Sequence, residues 1–461
     1  MKGDIMNSIL ILILAVLFAW SAVSELSAAW LEHNLTVSFS GAISIKLADI
    51  DEDGDMDILG AAWNSGISWW ENGGGSFTMH TIDDGFSGAI FVESEDIDSD
   101  GDMDIVASSN GSDTIEWWEN SGEEIFTGHL VSDSFAGVHS VYPADLDGDN
   151  DIDLIAVSFD DELVCWFEND GSENFTLRII AVGVDGPWTA YPGDIDGDGD
   201  LDIAVAYRLA DEVRWFENDG SCNFSGHIVD DSFDGAHIVI IRDLDGDGDE
   251  DIAATARDGD MIAWYENEGQ QDFTKYIIAE NYDWPTFISP ADLDGDGDLD
   301  IACAAYNDDD VSWLENNGFM SFTMNHISTD YNGAIPVAAG DINGDGRVDV
   351  VSCAYNLSSV TWWENTDSTS TVEGGMTGDI ASFEIAPNPS DGSFRIEISV
   401  RENCVVSADI YDVSGRLARS IIENVSRGAH SISVSELVAG VYLIQLEQGD
   451  LISARGISVI R

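Results

Sequence analysis

Seven nine-residue runs of alternating aspartates recur along this chain at nearly constant spacing, and no other feature limits its possible folds so tightly. They start at Asp49, Asp96, Asp145, Asp194, Asp243, Asp292 and Asp341, the first interval being 47 residues and the others 49. About twenty residues after each start stands a box of Trp, an aromatic residue or Leu, Glu and Asn, first seen as Trp69-Trp70-Glu71-Asn72. Later boxes begin at Trp117, Trp166, Trp215, Trp264, Trp313 and Trp362. A fixed period of this size means one supersecondary unit copied and stacked, because a single copy cannot bury its own apolar faces.

The unit reads as β structure. Between Gly186 and Val229, apolar runs at Thr189 to Gly193, Ile203 to Tyr207, Glu212 to Glu217 and Phe224 to Val229 are divided by Asp, Asn and Gly clusters. No helical period appears in it. Four short antiparallel strands per repeat of this length make the blade of a β-propeller. Six of the boxes lead into a fourth run starting at Phe77, Phe126, Phe175, Phe224, Phe273 or Phe322, but the box at Trp362 does not. The missing run stands at the other end, as Trp30-Leu31-Glu32-His33-Asn34-Leu35. The N-terminal strand is therefore expected to complete the seventh blade, which would hide two sheet edges otherwise open to aggregation. The fold class expected is all-β, a seven-bladed β-propeller over residues 30–366 followed by a small C-terminal β-sandwich.

Each aspartate run reads Asp-x-Asp-x-Asp-Gly-x-x-Asp, with Asn150 replacing the glycine once. Hard oxygen donors at alternate positions around a sharp turn suit calcium. Five carboxylates within nine residues also repel one another without a cation. The seventh position is Asp six times and Arg347 once, which fits a ligand donated there by the main chain. These are not helix-loop-helix calcium hands. The twelfth position, where such a hand needs Glu, is Gly60, Ala107, Ala156, Val205, Ala254, Cys303 and Ser352. Magnesium tolerates such a multidentate cage less well, and zinc would want His or Cys. About one calcium ion per blade is expected, up to seven.

These runs resemble FG-GAP/VCBS repeats, the calcium-loop blades also found in the propeller of integrin α-subunits. The resemblance implies that the loop joins the first two strands of a blade and holds the ion with positions one, three, five, seven and nine. Carried over, the first ladder would bind through Asp49, Asp51, Asp53, Asp55 by its main chain, and Asp57. The second would use Asp96, Asp98, Asp100, Asp102 and Asp104, and the third Asp145, Asp147, Asp149, Asp151 and Asp153. The fourth has Asp194, Asp196, Asp198, Asp200 and Asp202, and the fifth Asp243, Asp245, Asp247, Asp249 and Asp251. The sixth has Asp292, Asp294, Asp296, Asp298 and Asp300. The seventh departs, with Asp341, Asn343, Asp345, Arg347 and Asp349, so its site should be the weakest.

Lysine and arginine total 16 against 89 acidic residues, a net charge of −73. That excludes nucleic acid as a partner and disfavours an anionic membrane surface. Residues 1–24 read as a secretion signal, with Lys2 ahead of an apolar run from Ile9 to Trp20 and small residues at Ala22-Val23-Ser24. That run is short for a membrane span, and no other stretch could cross a bilayer, so no transmembrane helix is expected in the mature chain. Cys165, Cys222, Cys303, Cys353 and Cys404 fall at non-equivalent positions and read as buried free thiols.

A Ser/Thr/Gly-rich linker at 367–380 precedes a segment of different character, 381–461, without ladders or tryptophan. Phe394 to Ile398, Val405 to Tyr411, His430 to Val434 and Val441 to Leu446 alternate as strands. Pro387-Asn388-Pro389, Tyr411-Asp412-Val413-Ser414-Gly415-Arg416 and Gly440-Val441-Tyr442-Leu443 resemble the C-terminal sorting domain of type IX secretion cargo. This implies handling by the type IX machinery and a secreted or outer-membrane surface-attached product.

No nucleophile elbow, zinc-protease pair or phosphate loop is present, so no enzyme is expected. His80, His129, His227 and His326 accompany the fourth-strand run and read as packing residues, and the box tryptophans as wedges between blades. Function in a propeller lives where the copies differ. On the face away from the ladders, three blades carry Ala-Ile, at Ala42-Ile43, Ala89-Ile90 and Ala334-Ile335. Four consecutive blades carry Val138-His139, Pro187-Trp188, Ala236-His237 and Pro285-Thr286, the last preceded by Trp284. The nearby second-strand exits add Arg208 and Arg257, where other blades show Asn64, Asn110, Asn307 or Asn356. His139, Trp188, Arg208, His237, Arg257 and Trp284 are thus candidate ligand residues for a sugar or an acidic peptide. The expected role is a calcium-dependent, non-catalytic binding or adhesion module for a glycan or an extracellular protein. The alternatives are a carbohydrate-active enzyme or its accessory module, and a structural surface coat.

Overall fold

In this computed structural model the described residues are 30–366, without 123–124, 270 and 319–320, together with seven strands between residues 380 and 459. The expected signal segment at 1–24, the linker residues 367–379 and the Pro387-Asn388-Pro389 motif lie outside them. The chain divides into two units, Met1–Asp367 and Ser368–Arg461.

The first unit is seven four-stranded antiparallel sheets, six of them built from strands consecutive in the chain. The fourth blade shows the plan: an inner strand Pro187–Gly193, then Asp202–Tyr207, Glu212–Asn218 and an outer strand Phe224–Asp230. The second strand of every blade is buried along its whole length. Both of its faces meet other blades, which is why these strands read as unbroken small apolar runs such as Ile-Ala-Val-Ala rather than alternating. The outer strand Phe224–Asp230 has no buried residue.

Each of the seven apolar clusters of the propeller draws on two neighbouring blades. Trp215, only 3% exposed, packs with Val213 of its own blade and with Ile252, Ala254 and Tyr265 of the next. Trp215→Ala should therefore cost about 3–5 kcal/mol, read as a drop in the denaturation midpoint. The first box residue is also covered from its own outer strand. Trp69 stacks on His80 at 4.8 Å, and His80 Nε2 lies 2.7 Å from Glu71. Trp117 with His129 and Trp215 with His227 repeat the stack at 4.7 Å. His326 does not belong to this set. Asn325 faces Trp313 and donates to Glu315, while His326 turns to Asp310 and Ser312.

The ring closes as the sequence requires. Trp30–Thr36 pairs antiparallel with Ser359–Asn365, the third strand of the seventh blade, as the outer strand that blade lacks. His33 stacks on Trp362 at 4.3 Å and lies 2.9 Å from Glu364, repeating the histidine–tryptophan–glutamate arrangement of other blades. Cys165, Cys303 and Cys353 are buried free thiols, whereas Cys222 is only half-buried.

The second unit holds a three-stranded sheet, Ile380–Ala386, Ser393–Val400 and Gly428–Ser435, and a four-stranded one. The latter orders Leu417–Val425, Cys404–Asp412, Gly440–Gln448 and Leu451–Val459. The sequence pattern misses Ile380–Ala386, Leu417–Val425 and Leu451–Val459.

Candidate functional site

The ladder loops and the Trp-box turns share one face of the propeller. Each ladder joins the inner strand to the second strand, so that Gly193 pairs with Asp202 across the fourth loop. Inside it, backbone amides reach back to the aspartates in a cascade: Asp198 N–H to Asp196, Gly199 N–H to Asp194 and Asp200 N–H to Asp198. The chain turns by adopting a left-handed conformation twice, at Gly197 (φ 73°) and Gly199 (φ 98°). The sixth position was legible as a turn, and Asn150 takes it at φ 75°. The fourth position is a second such turn, carried by glycine in five ladders and by Glu52 and Ser99 at some conformational cost in the first two.

Position nine does two jobs. Asp202 accepts from Ile195 N–H at 3.1 Å through one oxygen and from Asn218 N–H at 2.8 Å through the other. Asn218 is the box asparagine, and its amide donates to Leu201 O and, across the blade boundary, to Leu146 O. The same cross-blade bond runs from Asn72 to Ile342 O, Asn120 to Ile50 O, Asn267 to Ile195 O and Asn365 to Leu293 O. With Asn169 to Ile97 O, the box asparagine thus ties six of the seven ladders to a neighbour, including across the ring closure, while the Asn316 amide bonds Leu299 O within its own blade. Its occurrence in every box was the available signal.

The donors suit a hard cation. Carboxylate oxygens of positions one, three and nine lie within 4.8 Å of one another in ladders two to five, and those of Asp49, Asp51 and Asp53 do so in the first. Asp49 Oδ1 and Asp194 Oδ1 are buried with no hydrogen-bond partner. Burial pushes the position-nine carboxyls up to about 7 in six ladders and Asp300 to about 8. Those groups stay ionised at neutral pH most readily beside a cation. The position-seven side chain is directed elsewhere: a Cβ placed on the turn residue Gly122 would meet Asp102 Oδ2 at 2.5 Å. In the seventh ladder Arg347 donates to Asn365 O at 2.6 Å and pairs with Asp345, supplying a built-in positive charge. The acidic groups of the blades could therefore hold metal ions, and the seventh ladder is set apart from the rest.

The opposite face opens into a bowl of about 330 Å³ on the propeller axis. One residue from each inner strand rings it: Ile43, Ile90, His139, Trp188, His237, Thr286 and Ile335. Its base is closed by Phe91 and Phe287, whose ring centroids stand 6.4 Å apart across the axis. The six candidate ligand residues cluster here. Trp188 lies between His139 and His237, with centroid distances of 3.8 and 4.8 Å. Arg257 stacks on Trp284 at 3.6 Å and lines the bowl. Arg208, outside the lining itself, stands 4.9 Å from the Trp188 ring centroid. Burial, with the arginines adding, drives the His139 imidazole down to about 3 and His237 well below its ordinary value, so both are neutral. Burial and the adjacent Arg208 also lower Arg257, to about 10.

The register corrects one comparison between blades. Arg208 N–H donates to Gly186 O and Arg257 N–H to Gly235 O, and the residues making this bond elsewhere are Trp63, Phe159, Tyr306 and Tyr355. Asn64, Asn307 and Asn356 come one residue later, so the arginines replace mostly aromatic rim residues rather than asparagines. The acceptor position is distinctive in its backbone. It is glycine with positive φ in six blades, at Gly41, Gly88, Gly137, Gly186, Gly235 and Gly333, and Trp284 (φ 62°) in the sixth. A bulky residue in the left-handed region is strained, and such strain gathers at functional sites.

Comparison with known proteins agrees with this architecture. The model described as FG-GAP-like repeat matches six overlapping stretches, 49–107, 96–156, 145–205, 194–254, 243–303 and 292–352. The model described as secretion system C-terminal sorting domain matches residues 384–459. No curated protein matches the chain in sequence. Among solved structures, BBS1N in its complex with ARL6DN, soaked with lead, superposes with a TM-score of 0.54 at 10% identity, covering 74% of this chain and 99% of that one. The mercury-soaked form gives 0.53 at 12%, with the same coverage. At these identities the likeness concerns the fold alone. No helix among the described residues is long and apolar enough to cross a membrane. The chain belongs to the FG-GAP-like repeat family, as a seven-bladed propeller whose type IX sorting domain marks it for export, either released or held at the cell surface.

Proposed function

We propose that this exported propeller is a calcium-dependent, non-catalytic binding module that takes a glycan or extracellular protein ligand in the bowl opposite its ladders. The observation that carries the reading is the bowl itself, where aromatic rings, neutral imidazoles and a guanidinium from different blades converge around one concave apolar floor. Pockets of this size and make-up suit small ligands or the tip of a larger one. Calcium is favoured for the ladders because their donors are carboxylate and carbonyl oxygens in a flexible loop, without thiolate or imidazole. A binding role is favoured over turnover because the described lining residues include no carboxylate for acid–base work, and both histidines are poor bases at neutral pH.

The test is a glycan and matrix-protein binding screen of the full chain, with and without calcium, beside its Trp188→Ala variant. Trp188 is half-buried on the ring, so the variant should lose binding while its melting transition shifts far less than that of Trp215→Ala. A Trp188 variant as destabilised as the Trp215 one would make Trp188 a core residue and remove the bowl as the site. Release of product from a polysaccharide would replace this reading with an enzymatic one. A protein that binds nothing at the bowl would be a surface coat.

A further inference from the structure

The two sides of the bowl differ in chemistry. Blades four and five bring Arg208 and Arg257 together, both within 4.0 Å of the same carboxylate, Asp258. Those contacts are at the long limit of an ion pair, and Asp258 is 53% exposed. Arg208 Nε and Arg257 Nε are buried without a hydrogen-bond partner. Two adjacent guanidinium groups with unpaired donors are costly unless an anion completes them. In a chain of net charge −73, holding that pair at the mouth is the more telling. Stacking on Trp284 and Trp188 fixes the guanidinium planes, which preorganises their N–H groups for a planar, two-oxygen acceptor. Trp284, left-handed where other blades have glycine, is held by its own N–H on Asp260 at 3.2 Å, by Tyr306 N–H on its carbonyl, and by the Tyr306 ring at 4.7 Å. Blades seven, one and two offer the opposite surface: Ile335, Ile43 and Ile90 on the ring, with Tyr355 and Trp63 at the rim.

We propose that the bowl is a hexuronate site, in which Arg257, supported by Arg208, pairs with the carboxylate of an acidic polysaccharide while the C–H face of the sugar ring rests on the apolar and aromatic side. This rests on the reading of the bowl as the binding site and deepens it. A carboxylate fits because it offers the two coplanar oxygens that a fixed guanidinium matches. A sugar acid fits better than a small free acid because the site pairs one cationic sector with an extended aromatic and apolar wall, within about 330 Å³.

The experiment is calorimetric titration of the calcium-loaded full chain with galacturonate, glucuronate and mannuronate trisaccharides, each beside its methyl ester. At least one free acid should bind, and its ester at least tenfold more weakly. Arg257→Met should lose tenfold or more, Arg208→Met somewhat less, and Arg257→Lys should recover part of the loss, all with melting transitions close to that of the parent. Equal affinity for acid and ester, or arginine variants that bind like the parent, would overturn the carboxylate assignment; if Trp188→Ala then still abolishes the binding, the bowl remains the site. Binding that survives Trp188→Ala overturns both readings. Failure of all three acids to bind overturns the hexuronate assignment and leaves the bowl open to a neutral ligand.

Discussion

Chelation of calcium at neutral pH and low salt is expected to lower the melting temperature of the propeller by tens of degrees or to unfold it outright. Six ladders carry five aspartates each and no basic residue. Without an ion, several carboxylates converge within 4.8 Å, and two of their oxygens lack a hydrogen-bond partner. An ion that binds only the folded state stabilises it by about 2.7 kcal/mol per site at a hundredfold excess over the dissociation constant. Six independent sites would contribute about 16 kcal/mol, comparable with the whole stability of an ordinary domain. The ladders also anchor the box asparagines that cross six of the seven blade boundaries, so the loss should propagate around the ring as one transition. The seventh ladder has its own Arg347–Asp345 pair and should feel chelation least.

Removal of residues 30–36 should be the most damaging change at the other end of the scale of locality. The segment forms six registered pairs with Ser359–Asn365, and His33 covers Trp362. At about 1 kcal/mol net per backbone hydrogen bond, the direct loss is on the order of 5 kcal/mol. The exposed third strand of the seventh blade then becomes an unprotected edge. Size-exclusion chromatography should show self-association of the truncated chain, and its melting transition should fall well below that of the full-length protein. A truncated chain that stays monomeric with an unchanged transition would mean that this strand does not close the ring.

Much of this was legible because a propeller repeats its physics. The seven copies set the blade count, the shared phase of aspartates and boxes puts both on one face, and a box without an outer strand identifies the closing segment. What stayed hidden depends on partners far apart in the chain. Asn218 looks like a turn residue until its amide is seen to reach Leu146 O in the preceding blade. Residue identity alone sets the arginines beside Asn64 and its counterparts, whereas the Gly186 O and Gly41 O hydrogen bonds set the true register. In the sequence Trp284 is only an aromatic near a variable loop. Its meaning comes from the left-handed backbone that glycine fills in the other blades. His326 misled for a related reason, since strand alternation puts Asn325 rather than His326 opposite Trp313.

The most direct measurement is the calcium stoichiometry of the full chain, stripped of metal and then titrated at low salt, with elemental analysis of the repurified protein. About six tightly held ions per chain are expected, one for each ladder without an internal arginine, and a further weak site at most. Retention of no calcium, or of a single ion, by the folded protein would contradict that count.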